Sequence, residues 1–234
     1  MINHYKELFF GIIGEYTPKL SQIIEIFLKR KNIFKSMNTK FIEIFYNNEW
    51  DCKESVSGAG SSIAETPVIR EKLPLLLKEI SVSSLLDIPC GDFNWMSKIN
   101  LDFLDEYVGG DIVPEIIVQN KKKYENETIK FKLVDLTRTK LPKMDVILCR
   151  DCFIHFSYKD IFAALRNFKK SGSKYLLTTT FVNRQKNRNI FTGGWRTINL
   201  QKPPFNFPKP IKLILESFNL AKCLGLWKIE SINI

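Results

Sequence analysis

The stretch Ser84-Leu85-Leu86-Asp87-Ile88-Pro89-Cys90-Gly91-Asp92-Phe93 is a short apolar run that ends in an acid and a tight, glycine-containing turn. A second acid, Asp111, ends the next such run. At the carboxyl end of a first strand the chain turns sharply beside a ligand, which favours glycine at Gly91, where no Cβ blocks close approach. A carboxylate at the tip of the following strand can accept both hydroxyl protons of a ribose. The pairing of Asp87 and Asp111 therefore points to an adenosine-type ligand.

Outward from this stretch the alternation is regular. Apolar runs predict strands over 84–88, 106–110, 129–134, 144–149 and 174–181. Between them, periodicity predicts a short helix near 94–99 and longer ones over 114–124 and 158–170. Continuous apolar strands separated by helices imply an α/β fold, a doubly wound, mostly parallel sheet covered on both faces. Ligands collect at the carboxyl ends of such strands. Thr66 and Pro67 provide a cap and a first-turn proline for a helix running to about residue 80, with Pro74 as a kink point.

Three- and four-residue spacing of Leu20, Ile23, Ile24, Phe27 and Leu28, and then of Phe41, Ile44 and Phe45, predicts an N-terminal helical cap. Residues 1–62 are read as that cap plus a Ser/Gly linker, and 63–234 as the ligand-binding domain. The apolar stretch 8–13 is too short for a membrane span and lacks a small-residue cleavage pattern, so neither span nor signal peptide is expected. A long stretch at about 182–210, rich in cations, aromatics and prolines, reads as a substrate loop. Beyond it, a helix over 211–220 and a strand over 226–229 are expected. A last sheet strand is not plain, and 195–200 is a candidate for it.

The formal net charge of +10, from 35 basic against 25 acidic residues, favours anionic partners, among which nucleic acid, lipid headgroups and phosphorylated or nucleotide-linked sugars all qualify. A solvated basic surface without a ligand also satisfies it. Five scattered cysteines argue against a disulfide framework and for a reducing cytoplasm.

Pro89 and Phe93 stand where a dinucleotide fingerprint needs glycine, and no phosphate-loop motif occurs. What remains is apolar strand, Asp-x-x-Cys-Gly, apolar strand, Gly-Gly-Asp, apolar strand, Val134-Asp135-Leu136, and then Met144 to Cys149. This order resembles the core of class I S-adenosylmethionine-dependent methyltransferases over roughly residues 80–181, and the segments 86–96 and 148–152 resemble a bacterial subgroup met among surface-polysaccharide genes. The resemblance implies a Rossmann-like methyltransferase fold with S-adenosyl-L-methionine as cofactor. It places Asp87, Pro89, Cys90 and Gly91 beside the methionine part, Asp111 on the ribose and Asp135 at the adenine, with neighbouring Ile112 and Leu136 in the same cofactor-binding set.

After the strand 144–149 comes Arg150-Asp151-Cys152-Phe153-Ile154-His155-Phe156, and Ser157 with Asp160 forms a capping box for the next helix. His155 thus sits at the carboxyl edge, and an imidazole there can take a substrate proton near neutral pH. Packing between Phe153 and Phe156 is the alternative. Asp151 can orient the imidazole, act as base itself or bond the substrate, and Arg150 can meet the cofactor. An internal Arg150–Asp151 pair is the alternative for both. Cys149, Cys152 and His155 have ligand-like spacing, but nothing completes a tetrahedral site and no metal is expected. Arg184, Lys186, Arg188 and Arg196 can hold an anionic group, and Trp195 and Phe205 offer flat faces. The implied activity is O-methylation of a sugar or other polar group of a capsule or surface-glycan precursor. RNA methylation and a non-catalytic partner-binding module are the competing readings.

Overall fold

The computed structural model describes residues 36–234. The expectations for residues 1–35, including the apolar stretch 8–13, the first helical stripe and His4, lie outside the described residues. Residues Phe41–Ile234 form one compact unit. Among the described residues no helix is long and apolar enough to cross a membrane.

Four α-helices are described: α1 (Met37–Tyr46), α2 (Pro67–Glu79), α3 (Pro114–Tyr124) and α4 (Tyr158–Ser171). They accompany a seven-stranded sheet: β1 (Ser84–Asp87), β2 (Glu106–Asp111), β3 (Ile129–Leu133), β4 (Val146–Cys149), β5 (Tyr175–Phe181), β6 (Lys212–Ser217) and β7 (Lys222–Lys228). The strand order is β3-β2-β1-β4-β5-β7-β6. The first five strands pair in parallel, with Leu86 beside Val108 on one side and Ile147 on the other. β7 joins antiparallel to β5, and β6 antiparallel to β7. Chain direction across the sheet reverses between β1 and β4, so right-handed crossovers there lie on opposite faces and leave a crevice at the carboxyl edge.

Local sequence explains the helices. Pro114 opens α3 in the first turn, where its missing N–H costs nothing, and Lys121, Lys122 and Lys123 close it against the negative end of the helix dipole. Along α4, Ile161, Ala164, Leu165 and Phe168 form one buried stripe. Ser157 accepts the Asp160 N–H at the N-cap, and Gly172 ends the helix in the left-handed region. On α2 the face Ile69, Leu73, Leu76 and Leu77 enters a core shared with Leu85, Ile214, Leu224 and Leu226.

Four details differ from the sequence reading. The helix near 94–99 is a single 3-10 turn, Met96–Lys98. The strand expected from 144 starts at Val146, because the Asp145 carboxylate is drawn to the N–H groups of Ser83 and Ser84. Thr66 precedes Pro67 as expected, yet its hydroxyl donates back to the Ser62 carbonyl (2.7 Å) and caps nothing. Finally, the expected helix over 211–220 is strand β6 and its turn. There β7 supplies the backbone partners, and the turn closes with Ala221 at φ 48 and its N–H on the Phe218 carbonyl. This hairpin provides the last strand pair, and 195–200 forms no strand. In place of a helix between β5 and β6, the long loop covers the sheet: Ile198, Leu200, Phe205 and Phe207 are buried, and the Trp227 indole donates to the Pro208 carbonyl.

Replacing Ser157 with Ala removes the α4 cap and is expected to lower stability by about 1 kcal/mol, read as a shift of the urea midpoint.

Candidate functional site

The first strand delivers Asp87 and the turn after it to the carboxyl edge. Gly91 sits at φ +54, and its N–H donates to Asp111 Oδ2 (3.0 Å). The other oxygen, Oδ1, accepts the Val113 N–H (3.0 Å), and Asn120 of α3 holds the Gly91 carbonyl (2.7 Å). Burial pushes the Asp111 carboxyl up to about 6, against the pull of these backbone N–H groups. Asp87 accepts the Tyr107 hydroxyl (2.6 Å), and burial pushes it up to about 7, the nearby Asp111 charge adding a smaller push. Two buried carboxyls on neighbouring strand ends, neither paired with a cation at hydrogen-bond distance, suit a ligand that donates hydroxyl protons to one and brings positive charge to the other. A nucleoside sulfonium with a free ribose has that donor set.

The remaining residues expected at this ligand are close by in the chain but differ in accessibility. Cys90 is buried, with its N–H on the Gly110 carbonyl. Pro89, which has no N–H to donate, is joined to Ile88 by a cis peptide. Ile112 follows Asp111 directly, and Leu136 is buried beyond β3. Asp135 caps its own turn, accepting the Thr137 N–H (2.8 Å) and hydroxyl.

The Ser/Gly linker is stitched over the glycine turn. Asp92 accepts the Ser55 hydroxyl (2.9 Å), the Val56 N–H (3.0 Å) and the Ser57 hydroxyl (3.2 Å), and its own N–H donates to Ser57 Oγ. A Cβ at position 91 would lie 2.1 Å from Ser57 Oγ, so glycine is needed there for space as well as for φ. Sequence reasoning left Asp92 out, and its only local signal is an acid beside the turn with a serine cluster elsewhere in the chain. Arg70, on α2, donates to the Ile63 carbonyl (3.1 Å).

At the end of β4 the two expected charges are tied inward. Arg150 is buried and donates to Glu216 (2.8 Å) and to the Gly60 carbonyl (2.9 Å), with its guanidinium over the Trp95 ring. Asp151, at φ +51, contacts Lys222 (2.6 Å) and Arg150 (3.2 Å) and accepts the Thr179 hydroxyl. Burial would raise its carboxyl, but the Arg150 and Lys222 charges outweigh it and hold Asp151 below the usual carboxylate range. Arg150 is thus spent on Glu216 and Gly60, and Asp151 is an ion-paired anion with little proton affinity. Glu216 and Lys222 were not foreseen: Glu216 lies in the segment expected as a helix over 211–220, and Lys222 between that helix and the strand expected over 226–229, where the structure has the hairpin.

His155 lies on the 3-10 turn Phe153–His155 that follows. Its Nδ1 is 2.9 Å from the Gly194 carbonyl oxygen. A carbonyl only accepts, so Nδ1 carries the proton and Nε2 keeps the lone pair. The orienting group is therefore Gly194 rather than Asp151, which acts on the ring through its charge alone. Burial pulls the imidazole below its ordinary value, while the Gly194 bond and Asp151 oppose the shift. Trp50 packs against the ring, with centroids 5.3 Å apart. Among the described residues no group of three or more His, Cys, Asp and Glu is arranged to hold a metal.

The loop residues separate into two sets. Arg184 is exposed, with Nε on the Lys186 carbonyl (3.0 Å), and Trp195 is 55% exposed. Arg196 is only 1% exposed, and its guanidinium donates to the Phe153 and Phe156 carbonyls. Buried in this way, it presents no exposed group to an acceptor. Phe205 is buried against Tyr158 and Phe162, which corrects its reading as a flat recognition face.

No protein-family profile matches the sequence, and no curated protein matches it. Solved structures do. Human N-acetylserotonin methyltransferase, in complex with S-adenosylmethionine, aligns over 80% of this chain and 58% of its own, with a TM-score of 0.53 at 12% identity. The chain has a Rossmann-like methyltransferase fold. The N-methyltransferase NodS from Bradyrhizobium japonicum WM9, in complex with S-adenosylhomocysteine, aligns over 60% of this chain and 72% of its own, with a TM-score of 0.47 at 16% identity. The methyltransferase domain of a bacterial Hen1 aligns over 50% and 66%, with a TM-score of 0.44 at 14% identity. The chain thus spans less than two thirds of the human enzyme's length. On this fold the Asp111–Gly91 pair sits at the topological switch point of the sheet, where α/β folds bind ligands.

The raised carboxyl of Asp111 gives a signed pH effect. A folded-state value of about 6 against an ordinary 3.8 means that the folded protein binds more protons than the unfolded chain between these values. Its contribution is fully present below about pH 4 and is lost as pH rises through 6. Relative to Asp111→Asn, the wild-type protein is expected to lose about 2 kcal/mol between pH 4 and pH 7 in urea unfolding without ligand.

Proposed function

We propose that the chain is an S-adenosylmethionine-dependent methyltransferase that O-methylates a sugar or other polar hydroxyl of an anionic glycan precursor, of the capsule or surface-polysaccharide kind. The observation that carries this reading is His155, whose Nδ1 is held by the Gly194 carbonyl so that Nε2 keeps its lone pair, on the 3-10 turn that follows β4, the strand paired with β1 and its Asp87–Gly91 turn. In this reading residues 1–62 are cap and linker, and 63–234 are the catalytic domain.

When bound, the cofactor supplies a methyl group on a cationic sulfur. Asp111 accepts the ribose hydroxyls, and Asp87 with the 89–91 turn meets the positively charged amino-acid end. Ile112, Asp135 and Leu136 border the adenine. His155 Nε2 would take the acceptor's hydroxyl proton, and the fixed Asp151 anion would stabilise the resulting imidazolium. The strap 55–62 and Trp50 keep water from the reacting atoms. Since methyl transfer demands alignment above all, the protein's chief contribution is positioning.

For the acceptor, the +10 charge and the exposed Arg184, Lys186 and Arg188 support an anionic group, with Trp195 as a flat face for a sugar ring. All five cysteines are unpaired, which supports a reducing, cytoplasmic setting.

Asp111→Ala is expected to weaken S-adenosylmethionine binding by about 1.5–3 kcal/mol by calorimetry, and unchanged affinity removes the ribose assignment. His155→Ala is expected to lower turnover by about 10²–10⁴ with cofactor affinity intact. Turnover is read as S-adenosylhomocysteine release across a panel of nucleotide-sugars and surface-glycan fragments. A panel without release, set against release with RNA, overturns the glycan assignment.

A further inference from the structure

Among the described residues no carboxylate lies within bonding distance of the buried Arg196 guanidinium, and its Nε has no hydrogen-bond partner. Both terminal nitrogens are given to backbone: Nη1 donates to the Phe153 carbonyl and Nη2 to the Phe156 carbonyl (2.8 Å). The same short segment takes the two carbonyls between them, since Arg196 N–H donates to Ile154 O (3.0 Å) and Gly193 N–H to His155 O (2.8 Å). Four consecutive carbonyls, 153 to 156, are therefore bound by residues 193–196. The next two N–H groups are held by the loop as well: Ser157 N donates to Thr192 Oγ1 (2.9 Å) and Tyr158 N to Asn189 Oδ1 (2.8 Å).

We propose that Arg196 is a positioning residue for His155, its planar fork pinning both ends of the turn that carries the imidazole so that Nε2 is presented in one orientation. The proposal rests on His155 being the base. Burying a cation without a counter-ion is costly, and an apolar side chain of similar length would fill the space at lower cost. What the arginine adds is two charge-assisted bonds, stronger than neutral ones, to carbonyls one turn apart. Gly193, at φ +94, lets the segment reverse closely enough to reach His155 O, and Gly194 then meets the ring.

The cation has a second effect. The charges facing the imidazole are Asp151, itself held by Arg150 and Lys222, and Arg196. Asp151 raises the proton affinity of the ring and Arg196 lowers it, so Arg196 helps to keep His155 neutral and ready to accept a proton near pH 7.

The chain has two histidines, so imidazole NMR reads His155 directly, with His4→Gln assigning the other signal. In Arg196→Met the His155 titration midpoint is expected to move upward, because a cation is lost and the loosened turn admits water. The acid limb of turnover should follow it, with S-adenosylmethionine affinity unchanged. Arg196→Lys keeps a charge but not the fork; its midpoint should stay while turnover falls about tenfold, measured with the nucleotide-sugar giving the fastest S-adenosylhomocysteine release. A merely structural arginine would lower the melting temperature and leave midpoint and turnover of the folded protein alone, and that result overturns the proposal. Should Arg196→Met not fold, wild-type turnover in Arg196→Lys overturns it. Should neither fold, the wild-type ring decides, because a neutral His155 protonated at Nε2 contradicts the clamp. Full turnover in His155→Ala would instead remove the base assignment, leaving the NMR result to stand by itself.

Discussion

A single carboxylate, Asp111, joins the end of β2 to the turn after β1 by accepting the Gly91 N–H. That bond brings a left-handed glycine, a buried acid and the start of α3 together at the point where the sheet changes direction. Around it, each neighbour is committed: Asn120 holds the Gly91 carbonyl, and Asp92 holds the strap that lies over the same glycine. The turn is thereby shaped before any ligand arrives, so its ordering costs nothing at the moment of binding.

The site resolves buried charge in three ways, and the difference assigns roles. Asp87 and Asp111 have only hydroxyl and backbone partners and hold their protons unusually tightly, which leaves them receptive to a positively charged or proton-donating ligand. Asp151 is surrounded by Arg150 and Lys222 and stays ionised, which fits a fixed negative charge better than a proton acceptor. Arg196 is set against two backbone carbonyls and the face of the Tyr158 ring. His155, between Asp151 and Arg196, gives Nδ1 to the Gly194 carbonyl and keeps the Nε2 lone pair.

The parallel half of the sheet was legible because buried strands are continuous apolar runs, and the ends of α3 and α4 because Pro114, Ser157 and Gly172 act within one turn of their own position. The hairpin β6–β7 was not. Leu213, Ile214 and Leu215 in succession satisfy either period, and the choice is made by β7, a partner that local patterning does not reveal. Losing that hairpin also hid Glu216 and Lys222, and with them the reason why Arg150 turns inward. The positions of Asp87, Gly91 and Asp111 at strand ends, and of His155 in the loop after β4, could be read from the apolar runs that precede them. Arg196 could not be placed, since a cation in a Gly-Trp-Arg loop looks solvent-facing until the carbonyls 40 residues earlier in the chain are seen to converge on it.

The loop that stands where a helix would cover β5 to β7 has divided loyalties along its length. Its inward members, Arg196, Ile198, Leu200, Phe205 and Phe207, are fixed by the sheet and by the turn beneath them. Its outward members, Arg184, Lys186, Arg188, Phe191 and Trp195, carry no such obligation. Selection can therefore rewrite the outer positions without unsettling the scaffold. Descendants of this chain should diverge at these outer positions well before they diverge in shape, with the inner anchors as the slowest-changing part of the segment.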